Sequence, residues 1–181
     1  HEQGLPWVLV KMAASLDGRT AMASGQSQWI TTPAARKDVQ RLRAASCAII
    51  TGIGTQLMDD PSLTVRITNE DVGVEDSLHQ PLRVVVDSKL QMSPEARMFA
   101  QPGSVLVATV DGDEQREKSE ALKQAGADIV FLPARDGHVD LHALLVELAG
   151  RECNSVMVEA GAGLAGAFVA EGLLDELVCY W

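Results

Sequence analysis

Short runs of consecutive apolar residues alternate along this chain with longer stretches in which charged and apolar positions repeat at helical spacing. Strands are predicted at Trp7–Ala13, Cys47–Thr51, Leu82–Val86, Val105–Ala108, Asp128–Leu132 and Ser155–Val158, with a terminal strand at Glu176–Trp181. Helices are predicted from Pro33 to about Ala45, from Asp113 to Ala125, from Leu141 to Ala149, and as a short segment after Gly161. Thr32-Pro33 is an N-cap followed by proline at the first helical position. Ala35, Val39 and Leu42 then form a buried face opposite Arg36, Lys37, Asp38, Arg41 and Arg43. Strands that are apolar throughout, separated by helices, imply a sheet covered on both faces. The fold class is therefore α/β, with a mainly parallel central sheet flanked by helices. The acidic stretch from Glu70 to Asp76 reads as an exposed loop.

Composition narrows the function. The 181 residues suit one domain with a sizeable core, and no internal repeat or second domain is evident. A net charge of −10 argues against nucleic acid or an anionic membrane as the partner, and no apolar run is long enough to span a bilayer. Cys47, Cys153 and Cys179 are widely spaced, with no histidine at metal-ligand spacing, so neither disulfides nor a metal site is indicated. They read as small buried residues in a reducing, cytoplasmic setting. His1, His79, His138 and His142 read as surface residues. The chain starts on His1 and stops on a strand, so a fragment of a longer protein is expected.

Three segments offer chemistry. Gly161-Ala-Gly163-Leu-Ala-Gly166 follows a strand and opens a helix, where glycines admit a phosphate to free backbone N–H groups. The acidic residue that a standard dinucleotide fold places about 20 positions on is replaced by Trp181, so this is a phosphate loop of another kind, or a turn made small for packing. Lys11 lies inside an apolar strand, where an ammonium is costly unless paired. The residues alone favour an edge strand with Lys11 reaching solvent. The small residues of Gly52-Ile-Gly54 after the second strand make another site where backbone can meet a ligand, and Asp59-Asp60-Pro61 beyond them is either a plain turn or a carboxylate for a sugar hydroxyl. Arg43 and Arg66 are either planar forks for a phosphate or solvated surface residues, and Trp29 is either a core residue or one that stacks on a planar ring.

Lys11-Met-Ala-Ala-Ser-Leu-Asp-Gly-Arg19, Ser27-Gln-Trp-Ile-Thr31, Thr55 with Asp59-Asp-Pro-Ser-Leu-Thr-Val-Arg66, Val86-Asp-Ser88 and Val158-Glu-Ala-Gly161 stand in one order. Together they resemble the reductase domain of the riboflavin-biosynthesis deaminase–reductase, from about Leu5 to the last residue. The resemblance implies a dihydrofolate-reductase-like fold using NADPH. It also implies reduction of the ribose of 5-amino-6-(5-phosphoribosylamino)uracil to the ribityl chain. Ala13, Trp29, Thr55, Asp59 and Ser88 match cofactor-contacting positions, with Gly161, Ala162, Gly163, Leu164, Ala165, Gly166 and Ala167 receiving the cofactor's phosphates. Ser27, Arg43, Leu63, Arg66 and Glu159 match substrate-contacting positions. Lys11 and Asp59 match polar groups near the reacting sugar and are the expected catalytic pair. The resemblance further implies a homodimer and a deaminase domain elsewhere in the full-length chain. Zinc-deaminase motifs and the family's C-terminal strands are absent from these residues, and no metal is expected in them.

Two rivals remain open: a dihydrofolate or pteridine reductase, and a non-catalytic nucleotide-binding module of the same fold. The paired Arg43 and Arg66 favour a phosphorylated sugar over a pteridine. Charge is uneven along the chain, with residues 1–66 carrying a net +2 and the remainder −12. The acidity is therefore compatible with a locally basic cleft.

Overall fold

The computed structural model describes residues 4–15, 32–72 and 78–181. The first half runs β1 (Trp7–Ala13), α1 (Pro33–Ala45), β2 (Ala48–Gly52), α2 (Ile53–Asp59), α3 (Asn69–Val72), β3 (Leu82–Val86) and β4 (Val105–Val110). The second half runs α4 (Asp113–Gln124), β5 (Ala127–Leu132), β6 (Ala134–Arg135), β7 (His138–Val139), α5 (Leu141–Gly150), β8 (Ser155–Glu159), α6 (Ala162–Ala170) and β9 (Glu176–Tyr180). Among the described residues, seven strands join in the order β5-β4-β3-β2-β8-β1-β9, and every pairing is parallel. Strands β6 and β7 form a separate antiparallel hairpin.

The apolar strands are buried on both faces, as their composition demands. Ala48 and Ile50 of β2, Val84 and Val86 of β3, and Leu106 and Ala108 of β4 face one core with Leu144, Leu148 and Phe168 from α5 and α6. The alternate residues Ile49, Val85 and Val107 face a second core with Leu63, Leu90, Met98 and Leu122. Thr32 caps α1 by accepting a hydrogen bond from the Ala35 amide at 3.2 Å, and Asp140 caps α5 from Ala143 at 2.9 Å. No helix among the described residues is long and apolar enough to cross a membrane.

The structure departs from the sequence reading at several places. The Gly52–Asp59 segment, where the sequence predicts no helix, is a strand end followed directly by helix α2, with Gly52 as N-cap and Asp60 closing the helix in the left-handed conformation (φ 40°) before Pro61. The start of the expected acidic loop belongs to a helical turn, Asn69–Val72, and its remaining residues, 73–76, lie outside the described residues. A 3₁₀ turn at Arg97–Ala100 and the β6–β7 hairpin were unforeseen. Of the cysteines only Cys153 is buried; Cys47, just before β2, and Cys179, on the sheet-edge strand β9, are exposed.

Candidate active site

Parallel pairing brings the C-terminal ends of β1, β8, β2 and β3 to one edge of the sheet, and a cleft of about 1090 Å³ opens there. Strand β8 is inserted between β1 and β2, so the chain leaves neighbouring strands in different directions and a crevice results. Helices α2 and α6 both begin at this edge. The Gly161 amide donates to the Thr55 hydroxyl at 3.2 Å, tying the two helix starts together.

The cleft has a charged floor. Lys11 is not on an edge: β1 is paired with β8 on one side and β9 on the other, which overturns the solvent-reaching reading. Its ammonium lies 3.9 Å from Glu159 Oε2, with the two side chains only 19% and 10% exposed. Register places Lys11 directly beside Glu159 at the ends of their strands. On the other side Arg43 grips the same carboxylate, Nε to Oε1 at 2.6 Å and Nη2 to Oε2 at 3.0 Å. Two cations thus share one anion, and a net positive charge is left at the floor.

A third Arg43 donor reaches the Thr64 carbonyl at 3.0 Å. The Asp60–Arg66 segment is in neither helix nor strand, and side chains hold its backbone instead. Gln80 both donates to and accepts from Val65 (3.0 and 2.8 Å), and Gln40 accepts from the Arg66 amide at 2.8 Å. Arg83 is fully buried; it donates to Met98 at 2.8 Å and more weakly to Ser62 at 3.4 Å, and its burial lowers the guanidinium's pKa. Asp60 accepts from the Arg97 amide at 3.0 Å, a structural role beside the exposed Asp59. Leu63, on this strap, is buried against the cleft with φ 50°.

The glycine loop divides by helical geometry. Gly161, Gly163, Leu164 and Ala167 face the cleft, whereas Ala162 and Gly166 are exposed off it and Ala165 packs in the core. No side chain caps α6 and no acidic residue lies in its first turn, so its N–H groups and positive dipole end face the cleft uncompensated. A Cβ on Gly163 would meet nothing within 4 Å, leaving that space open to a ligand.

At the β3 end, Asp87 is fully buried and accepts from the Gln91 and Met92 amides at 2.6 and 2.8 Å. Burial raises its pKa despite these donors, and the resulting turn sets Ser88 on the cleft. The Ser88 hydroxyl accepts from the Val139 amide at 3.0 Å and so anchors the β6–β7 hairpin. Arg135 and His138 are cross-strand partners on that hairpin, and with Lys89 they line the rim beside Ser88. Arg135 is paired with Glu171 at 3.2 Å. Sequence reasoning missed this rim, although Asp136-Gly137 is a strong hairpin signal; both residues adopt positive φ (52° and 79°).

The cleft therefore brings together Lys11, Ala13, Arg43, Thr55, Asp59 and Leu63 with Ser88, Glu159 and the inward face of α6. Arg66 is exposed and off its lining. Ser27 and Trp29 lie outside the described residues.

The RibD C-terminal domain family model matches residues 6–181. The Riboflavin biosynthesis protein RibD of Escherichia coli (strain K12) is 46% identical over 182 residues, covering 98% of this chain and 48% of that protein. Its counterpart in Chlamydia trachomatis is 44% identical, covering 100% of this chain and 47% of the relative. Acinetobacter baumannii RibD superposes with a TM-score of 0.79 at 39% identity, over 97% of this chain and 46% of that one. A Saccharomyces cerevisiae riboflavin biosynthesis reductase, at 22% identity and a TM-score of 0.71 over 97% of this chain and 72% of that one, shares the fold. The chain spans about half the length of the curated relatives it matches. The architecture is the dihydrofolate-reductase-like α/β fold of these proteins, and the chain belongs to the RibD C-terminal domain family.

Proposed function

We propose that this chain is a nicotinamide-dependent reductase that converts the ribose of 5-amino-6-(5-phosphoribosylamino)uracil to the ribityl chain in riboflavin biosynthesis. The observation that carries the reading is the juxtaposition of an uncapped helix start with a Lys11–Glu159–Arg43 floor in one cleft. A Thermotoga maritima protein, described as a deaminase and 5-amino-6-(5-phosphoribosylamino)uracil reductase, aligns over 94% of this chain at 28% identity with a TM-score of 0.72. Since the chain covers only 43% of that protein, we place it beside a deaminase domain in a longer polypeptide.

The residues present fit a dinucleotide. Gly161 and Gly163 leave the start of α6 bare, and the space over Gly163 is open. Ala13 lines the cleft near Lys11, and Thr55 braces the loop. We assign NADPH, rather than NADH, from the rim: Lys89, Arg135 and His138 supply donors around Ser88 suited to a phosphomonoester. Glu171 holds Arg135 in its place at that rim.

When bound, the cofactor supplies a hydride to C1′ of the sugar. Lys11 Nζ donates the proton that O4′ takes as the C1′–O4′ bond opens, so one hydride and one proton complete the two-electron reduction. Glu159, held by both cations, accepts hydrogen bonds from the substrate. Asp59 accepts from a sugar hydroxyl, and Leu63 packs on the substrate. Arg66 receives the 5′-phosphate from the end of the strap. Mixing the protein with NADPH and either the pyrimidine phosphate or dihydrofolate tests this: loss of reduced-nicotinamide absorbance is expected only with the former. Turnover of dihydrofolate instead would favour the pteridine-reductase rival.

A further inference from the structure

We infer that Asp87 is a positioning residue: its buried carboxylate fixes the turn after β3 and, through Ser88, the β6–β7 hairpin, so that this rim of the cleft is formed before the cofactor arrives. The inference rests on the nicotinamide-reductase reading above and adds a residue that touches neither cofactor nor substrate.

Asp87 does not line the cleft, but its neighbours Val86, Ser88, Lys89 and Gln91 do, so any influence on a ligand passes through them. A fully buried carboxylate is costly unless hydrogen bonds answer it. Here backbone donors do so: the Gln91 and Met92 amides reach Oδ2 at 2.6 and 2.8 Å, and the Lys89 amide reaches Oδ1 at 3.4 Å. Among the described residues Asp87 makes no ion pair; Lys118 of α4, paired with Glu114 at 2.6 Å, favours its charge only from a distance. The turn it closes is a strained one. Leu90 holds φ 48°, left-handed backbone that a residue other than glycine adopts only under constraint. The constraint is supplied on both sides, by the Leu90 amide donating to the Asp87 carbonyl at 3.2 Å and by the carboxylate taking the next two amides.

Ser88 transmits that constraint. The Asp87 amide is fastened to the Ala108 carbonyl of β4 at 2.9 Å, so Ser88 is aimed by the sheet on one side and by the turn on the other. Its hydroxyl accepts from the Val139 amide, 51 residues away, and its own proton is left to donate into the cleft. The hairpin's other tie, Arg135 to Glu171 at 3.2 Å, joins an arginine that is 60% exposed and holds weakly in water. The Ser88 bond and the buried Val139 side chain therefore set where Arg135 and His138 stand.

The test compares Asp87→Ala, Asp87→Ser, Asp87→Asn, Ser88→Ala and the Asp87→Ser/Ser88→Ala double variant. The readouts are the Kd for NADPH, kcat with cofactor and substrate saturating, and amide hydrogen exchange of the ligand-free protein. Alanine removes the acceptors, and the shorter serine cannot span both amides. If the formed rim is then populated about a tenth of the time, the Kd for NADPH rises about tenfold in both variants. kcat at saturation should stay within about twofold, because binding restores the rim. Asparagine can place its amide oxygen where Oδ2 stands, so Asp87→Asn should keep NADPH affinity within about threefold of wild type. The double variant should be no more than about twofold weaker than Asp87→Ser, since both changes break one chain of contacts. The remote Val139 amide should exchange at least about tenfold faster in Asp87→Ser, as in Ser88→Ala, with β2 and β8 unchanged. Wild-type protection of Val139 in Asp87→Ser would overturn the inference. So would additive losses in the double variant, or a fall in kcat at saturation as large as the loss of NADPH affinity. Should Asp87→Ala not fold, Asp87→Ser and Asp87→Asn decide the question by the same readouts. If the wild-type protein bound no NADPH, the cofactor reading would fail while Val139 exchange still decided the positioning role.

Discussion

Replacing Gly163 by valine should stabilise the protein slightly while closing its cleft to the dinucleotide. Gly163 sits in the first turn of α6, faces the cleft, and has negative φ. A Cβ there meets no protein atom within 4 Å, so no clash opposes the change. Glycine is less favourable than alanine in a helix by about 1 kcal/mol, and valine recovers roughly 0.3 kcal/mol of that. For a chain of this size 1 kcal/mol moves Tm by about 2–4 °C, so Gly163→Val should gain about 1 °C and Gly163→Ala up to about 3 °C. Binding should move the other way. The added side chain occupies the space through which a phosphate reaches the α6 amides, and each charge-assisted hydrogen bond lost costs about 1.5–3 kcal/mol. The Kd for NADPH should therefore rise roughly 10- to 100-fold in Gly163→Val. Gly166→Ala is the control: it lies on the same helix, exposed and off the cleft, with nothing within 4 Å of its Cβ. It should stabilise without touching affinity. Differential scanning fluorimetry and calorimetric titration read the two effects separately. Wild-type affinity in Gly163→Val would show that the start of α6 is not where the cofactor's phosphates lie.

Three other outcomes follow from the same geometry. Lys11→Met keeps the side chain's length but removes its proton; kcat should fall at least about 100-fold with NADPH affinity nearly unchanged, and an unaltered kcat would remove Lys11 from the chemistry. Lys89→Ala and Arg135→Ala should each weaken NADPH binding several-fold and leave NADH binding unchanged; an equal loss for both nucleotides would dissociate the rim from the 2′-phosphate. Tyr180 is the chain's single tyrosine and donates to Asp38 Oδ2 at 2.6 Å, and burial followed by that carboxylate pushes its pKa above the ordinary value near 10. A raised folded-state pKa means that the stability from this contact is present below pH 10 and fades as pH climbs through the folded value. Tyrosinate absorbance should therefore appear later in the folded protein than in the unfolded one, and earlier again in Asp38→Asn. Coincident curves for the folded wild type and Asp38→Asn would show that the contact is not maintained.

Much of the fold was legible because the sheet is covered on both faces. Val84, Val85 and Val86 are all buried, so their strand reads as an unbroken apolar run, and Thr32-Pro33 marks the start of α1 by local chemistry alone. What could not be read depends on strand order. Lys11 looks like an edge residue until β8 and β9 are known to flank β1. Arg43 and Glu159 are 116 positions apart, so nothing local announces that one holds the other. Helix α2 was hidden by Gly52 and Gly54, whose poor helix propensity is outweighed by the N-cap role of the first and by the burial of Gln56. The glycines at 161–166 do stand where a strand hands over to a helix, but the sequence does not resolve their faces, because only the helical phase of α6 separates Gly163 from Gly166. The β6–β7 hairpin is different: Asp136-Gly137 carries the turn signal, but its strands are only two residues each, too short to show an alternating pattern.

The central claim is that this cleft delivers a hydride to the anomeric carbon of a phosphorylated pyrimidine riboside. Its most direct test uses NADPH carrying deuterium at the transferable position. The account predicts a ribityl product with one deuterium, bonded to C1′, and a matching quantity of oxidised cofactor. A product without deuterium at C1′, or cofactor oxidation that does not depend on the pyrimidine, would contradict it.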